Sequence, residues 1–493
     1  MAPHMSESLE ELSGGTERFL TELNRERLLV SIGTKGSPDS FSVFQRHAHL
    51  FDLFLISDLG EWRNRETGEE KKRLSYLQQF LQKSYPLAMV SDLSDLFEES
   101  EMKMLSARSP PLQMISDGYY YARSQDREER KETWQQREQM LRILNPILEK
   151  RLSGLHKASR ELGYKDLVDL SLEVRGLDLG WLTATLELIL DRTEGLYLDM
   201  LESFLTESLS LDEVEQHDIL HVLRGDEFVE MFPADQIWNS MSSALSGLGA
   251  ELGVTGNLRL LSPGCGGPQA LPVRVPNEVY LFIEPRGGYL DYLRHFGEAG
   301  KAIQMGGTSP HMRVEFRYLG DPAIPETFGL LLQRIISTRP WLEGKGGKED
   351  IGKFKKLFYL HRIYELRRLA ALLLYEMRVN MGSPSTADDM YASIMEDKLH
   401  FPHCREECLV DIITPFQSAD RLRGFIFEAM LRKALLEKCG ERWFSHPAAR
   451  DMVSEMWSWG GRFGLDELAN SIGYAELDIE PLVEEIEDRI RLL

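Results

Sequence analysis

Four stretches of the 493-residue chain hold side chains that could do chemistry. In the first, Glu298 and Lys301 stand three apart in an apolar, small-residue run, and Glu326 follows in a second apolar run. On a helix that spacing puts the ammonium within reach of the carboxylate. The second is His217-Asp218-Ile-Leu-His221, whose two His share a helix face as zinc ligands do. No Glu-bearing helix follows it at a suitable distance, and Asp218 is one methylene short for a base, so an amphipathic helix is expected there. The third, His400-Phe-Pro-His403-Cys404-Arg-Glu-Glu-Cys408, groups two His with two Cys. Its three-residue Cys gap and Pro402 fit a zinc knuckle poorly and predict a loop. The fourth, Gly264-Cys265-Gly-Gly267, lacks the Lys-Ser/Thr and helix start of a phosphate loop.

The elements that must carry these residues follow from periodicity. Apolar residues recur at helical spacing over Leu9–Asn24, Asp39–Leu55, Arg73–Tyr85 and Asp178–Leu205. Gln125–Leu162 is densely charged, with Met140, Leu141, Ile143, Leu144, Ile147 and Leu148 predicting one apolar face on a long helix pair. Gly163-Tyr164 marks its C-terminal end. Near Leu258 the texture changes to short β-like runs over 257–262, Leu271–Val275 and Glu278–Glu284, separated by Pro and Gly. After Gly287-Gly288 a helix starts near Tyr289, and a second runs from Pro325 to Ser337. The remainder reads as helical. A mainly α fold with one small embedded β-sheet is expected, divided into an N-terminal helical half, 1–215, and a C-terminal half, 216–493.

Asp291-Tyr-Leu-Arg-His-Phe-Gly297-Glu298-Ala-Gly-Lys301-Ala302 resembles the Asp-Tyr-x-x-x-Phe-His-Glu-Ala-Gly-His-Ala run of the zinc oligoendopeptidases, the thimet oligopeptidase and oligoendopeptidase F family. The resemblance continues through Glu315–Glu326, and it covers about residues 15 to 485. It implies a gluzincin metallopeptidase-like helical fold with a central cleft that the N-terminal half covers. It also implies that Gly297 and Lys301 stand where two zinc-binding histidines belong, that Glu298 holds the general-base position, and that Glu326, twenty-nine positions after Gly297, matches the third zinc ligand. Where the family often carries a further acidic residue, this chain has Gln333. Pro272–Val279 and Pro285–Gly288 resemble the family's edge strand and Gly-Gly turn, which implies Val279, Tyr280, Gly287 and Gly288 as cleft residues. Gln417 and Arg421 stand where the family places tyrosines that bind the substrate carbonyl and the oxyanion.

The chemistry of those substitutions points one way. Gly297 offers no ligand atom, and a protonated Lys301 has no lone pair and repels Zn²⁺. One carboxylate ligand does not make a tight zinc site, which takes three protein ligands. His295, roughly 200° around the helix from Gly297, cannot substitute. Lys301 is expected instead to replace the metal's charge between Glu298 and Glu326. The expectation is therefore a non-hydrolytic relative without zinc or other cofactor, with a peptide as the partner its cleft would hold through the Glu278–Glu284 edge. A metal-free enzyme built on Glu298, Lys301, Glu326 and Arg421 is the alternative, and an active metallopeptidase lacks its ligands. A net charge of −22 argues against nucleic acid and anionic membrane as partners. Four Cys and no apolar run near 20 residues point to a cytoplasmic protein.

Overall fold

The computed structural model describes residues 3–106, 117–205, 213–250, 257–262, 267–381 and 387–491. Four long helices lead: α1 (Pro3–Ser31), α2 (Gly68–Met89), α3 (Arg127–Glu161) and α4 (Leu179–Phe204). Three strands follow, β1 (Leu258–Leu261), β2 (Gln269–Arg274) and β3 (Glu278–Phe282). The second half supplies α5 (Tyr289–Gly306), α6 (Ala323–Gln333), α7 (Lys348–Met381), α8 (Gln417–Cys439) and α9 (Glu480–Arg491). Among the described residues no helix is long and apolar enough to cross a membrane.

The chain therefore is mainly helical with one small sheet, as its periodicity predicts. Two local readings need correction. The expected helix pair over 125–162 is one continuous helix, α3, capped by Asp126, whose carboxylate accepts from Glu129 N. Pro146 lies inside it on the exposed side, so its missing N–H leaves the buried stripe of Leu141, Leu144, Leu148, Leu152 and Leu155 intact. Ile143 is 63% exposed and does not share that stripe. The expected helix over Asp39–Leu55 is instead two, Ser40–Arg46 and Leu53–Arg65, because Asp52 caps a new start by accepting from Phe54 N and Leu55 N.

Apolar packing forms a small core from Leu9 to Tyr85, joined by Ala158, and a large one from Val90 to Ile486. The sheet lies between α1 and the large core. Val279 and Leu281 face the large core, while Tyr280 and Phe282 join Leu271 and Val273 against Leu28 of α1. All five residues of β3 are buried, as a strand covered on both faces requires. The strand order is β1-β3-β2, with β3 parallel to β1 and antiparallel to β2. This overturns the expected edge at Glu278–Glu284. β3 is the central strand, hydrogen-bonded on both sides; the edges are β1 and β2, and Pro272 sits in β2 as an edge proline does.

Helices α5, α6 and α8 approach one another at distances that glycine sets. A Cβ on Gly300 of α5 would stand 2.2 Å from Phe328 O of α6, and one on Gly424 of α8 would stand 2.9 Å from Glu326 Cβ. Because the obstacle at Gly300 is backbone, only helix displacement could relieve it. Gly300→Ala should cost about 2–4 kcal/mol. Gly195→Ala, in open space at an exposed position of α4, should instead stabilise by about 0.5–1 kcal/mol through helix propensity. Denaturant midpoints of the two variants check the contrast.

Candidate functional site

Of the ten residues singled out from the sequence, five meet at one place. Gly297, Glu298 and Lys301 come from α5, Glu326 from the first turn of α6, and Arg421 from the second turn of α8. Lys301 Nζ lies 3.2 Å from Glu298 Oε1 and 2.8 Å from Glu326 Oε1. Arg421 continues the row, donating through Nη1 to Glu326 Oε2 at 3.1 Å and through Nη2 to Glu365 Oε1 at 2.9 Å. The charges thus alternate from Glu298 through Lys301, Glu326 and Arg421 to Glu365. Glu298 is fixed at its other oxygen, which accepts from Ala270 N of β2 at 2.8 Å.

Four members of the ladder, Glu298, Lys301, Glu326 and Arg421, line a cavity of about 160 Å³ with Arg294, Gly297, Gly329 and Gln333. Gln333 occupies the room that a side chain at 297 would need: a Cβ there would meet Gln333 Nε2 at 2.6 Å. Arg294 is held by a bidentate pair with Asp117, at 2.8 and 3.0 Å. Next to Glu365 on α7, buried His361 sits between two tyrosines, with Tyr119 Oη 2.8 Å from Nε2 and Tyr289 Oη 2.8 Å from Nδ1. A neutral imidazole has one donor and one acceptor, so one tyrosine donates and the other accepts.

Burial works against the charges of Lys301, Glu326, Arg421 and Glu365, and their neighbours outweigh it. Lys301 is held above the ordinary lysine range because Glu298 and Glu326 more than offset its desolvation. Glu326 is held below the usual carboxylate range by Lys301 and Arg421, again against burial. Glu365 is lowered likewise by Arg421. Burial lowers His361, which favours the neutral ring. Arg421 is raised by Glu365 and Glu326 against its own burial. All four shifted members of the ladder stay charged at neutral pH, so none of them is poised to exchange a proton there.

The other five residues lie apart from the ladder. Val279 and Tyr280 are inside the central strand, Tyr280 with its hydroxyl donating to Glu278 Oε1. Gly287 and Gly288 adopt φ of 82° and 87°, and their N–H groups are already taken, Gly287 by Asp291 Oδ2 and Gly288 by Phe232 O. They launch α5. Gln417 is exposed at the start of α8, outside the cavity lining. The edge strand β2 is itself occupied: Ala270 N donates to Glu298, Pro272 has no N–H, and Pro272 O accepts from Asn24 Nδ2 of α1 at 2.7 Å. Sequence reasoning missed Glu365, Arg294, Asp117 and His361. No local spacing marks them, since their partners are 56 to 242 positions away.

No protein-family model matches the sequence, and no curated protein matches it. Among solved structures, a crystal structure from Bacillus anthracis str. Ames assigned as an oligoendopeptidase F is similar, with a TM-score of 0.65. The match covers 97% of this chain and 90% of that one, at 16% identity. The chain has the oligoendopeptidase F fold. At that identity the likeness carries the fold alone, and chemistry rests on the residues in place.

Those residues do not fit a zinc ion. Position 297 has no donor atom and is walled by Gln333, while position 301 is an ammonium bonded to both carboxylates. Among the described residues no group of three or more His, Cys, Asp and Glu is arranged to hold a metal. The other His clusters are structural. His217 lies 3.2 Å from Asp218, which also pairs with Arg127 and Arg130, and His221 Nδ1 meets Ala122 O at 3.0 Å. His400 pairs with Glu194, and His403 stacks on Phe401. His295 Nδ1 donates to Asp291 O and Nε2 accepts from Glu284 N, facing away from the ladder. Cys265 lies outside the described residues.

Removing the ammonium leaves two carboxylates facing each other in a largely desolvated site. Lys301→Met should destabilise by about 2–4 kcal/mol and Lys301→Glu by more. The difference is pH-dependent. Glu326 is lowered on folding, so its contribution is complete above its unfolded pKa of about 4.3 and is lost as pH falls through the folded value. Lys301 is raised, so its contribution holds below about pH 10.4 and is lost above. The gap in melting temperature between Lys301→Met and the natural chain should be widest between those limits and close below about pH 4. A gap independent of pH would mean that the ammonium is not paired.

Proposed function

We propose that this chain is a non-hydrolytic protein on an oligoendopeptidase F fold, zinc-free, in which a fixed ion-pair ladder stands where the resemblance to the zinc oligoendopeptidases places the metal. The observation that carries the reading is Lys301 Nζ at 2.8 Å from Glu326 and 3.2 Å from Glu298. A cation already bridges the two carboxylates that a zinc peptidase would use as ligand and base. Both Glu298 oxygens are engaged, one by Lys301 and one by Ala270 N, which ties the carboxylate into the ladder. Arg421, paired with Glu326 and Glu365, has no hydroxyl to offer an oxyanion and points its guanidinium into the ladder instead.

The ligand class proposed for the cleft is a peptide, with residues 1–215 covering the cleft. Three contacts support that cover: Asn24 on β2, Asp117 on Arg294 and Tyr119 on His361, each joining the N-terminal half to the site. A peptide adding to β2 must take the Ala270 N–H from Glu298 and the Pro272 carbonyl from Asn24. Binding by strand addition is therefore weaker than on a free edge, and side-chain contacts have to carry specificity.

Purified full-length protein should hold less than stoichiometric zinc by elemental analysis and should leave a panel of quenched peptides uncut, while the same panel screens for binding. Stoichiometric zinc or measurable turnover would overturn the proposal. Gly297→His with Lys301→His should gain little zinc, because Gln333 fills the first imidazole's space. Adding Gln333→Ala should raise zinc occupancy markedly.

A further inference from the structure

Away from the cleft, a cavity of about 190 Å³ is lined by Arg334, Arg339, Lys355 and Arg432, with Tyr359 and Trp443 among its walls. Four cations around one cavity invert the acidic balance of the chain. Behind the cavity three guanidiniums, Arg334, Arg362 and Arg432, share two carboxylates, Glu428 and Glu485. All five side chains are less than a tenth exposed. Buried charge is expected to be balanced, and here the positive side is in excess. Arg334 Nη1 has no hydrogen-bond partner among the described residues, and its Nε is 3.9 Å from the nearest carboxylate. At the cavity itself only Glu441, exposed, adds a carboxylate, against exposed Arg339 and half-buried Lys355.

We infer that this cavity binds a phosphate-class anion, inorganic phosphate or a phosphomonoester. The hydroxyls contribute little. Ser337 Oγ donates to Arg334 O, Thr338 Oγ1 to Ile335 O, and Tyr359 Oη to Glu485. Recognition therefore comes from guanidinium and ammonium N–H groups, which match the three acceptor oxygens and double charge of a phosphoryl group. Trp443 and Leu436 supply an apolar wall beside them, which suits an organic substituent on the phosphate. The site is independent of the proposed function of the cleft, although the two are close in the chain: Arg334 follows Gln333, the last residue of α6, and Arg432 lies eleven residues beyond Arg421 on α8.

Calorimetric titration of the full chain near pH 8, at ionic strength fixed with sodium chloride, tests this with inorganic phosphate, phenyl phosphate and citrate. Phosphate should bind saturably, and Arg339→Gln with Lys355→Gln should weaken it about tenfold or more. Arg339→Gln alone, exposed and outside the buried cluster, should weaken phosphate several-fold and melt at the natural temperature without phosphate. Should the double variant fold poorly, Glu441→Gln, which removes the exposed carboxylate, gives a second reading and should tighten binding several-fold. Phenyl phosphate binding more tightly than inorganic phosphate would identify a phosphomonoester ligand, and equal binding would identify free phosphate. No saturable binding beyond chloride, tighter binding of citrate than of phosphate, or affinity unchanged in the variants would overturn the inference.

Discussion

The close approach of α5 to α6 is the constraint on which the site depends. With Gly300 against Phe328 O and Gly329 against Gly297 O, the two backbones meet where any larger side chain would part them. At that separation Lys301 and Glu326 reach each other directly, and Gly424 brings Arg421 in from α8. Alternation then does the rest. Each inner charge of the ladder has an opposite charge on both sides, so the mutual attraction in a poorly hydrated place outweighs desolvation. The directions of the shifts on Lys301, Glu326 and Glu365 all follow from that.

Such a ladder suits holding a structure together more than it suits turning over a substrate. Catalytic acids and bases have to exchange protons near the working pH, and the shifted groups here are pushed away from it. The same stiffness reaches the sheet, because Glu298 holds Ala270 N and α1 covers the outer sheet face with Leu28 and its edge with Asn24. Helix α5, the sheet and α1 are in this way tied together by polar contacts.

Much of this was legible in one dimension. Helical periodicity located α1, α2, α4, α5 and α6, and the change to alternating residues near Leu258 located the sheet. The spacing of Glu298 and Lys301 already implied their pair, since i and i+3 side chains share a helix face. The order of strands was not legible. β3 and β2 are neighbours in sequence, but β1 adds to the far side of β3, and pairing partners leave no local mark. The fully apolar Val279–Phe282 run was the one hint that β3 is covered on both faces. Long charged α3, expected as a helix pair, runs unbroken because Pro146 falls on its exposed side.

What the sequence by itself determined is the set of substitutions. A glycine and a lysine at 297 and 301 exclude an imidazole pair whatever the fold, because ligand atoms are a property of residue type. Tertiary structure alone decided what those substitutions became. Only the packed helices show Gln333 filling the space beside Gly297, Arg421 turned toward Glu365, and Glu298 bonded to a strand twenty-eight residues earlier. Those contacts depend on distances between helix axes, which glycine backbones and side-chain volumes on different elements fix jointly, and no single segment encodes them.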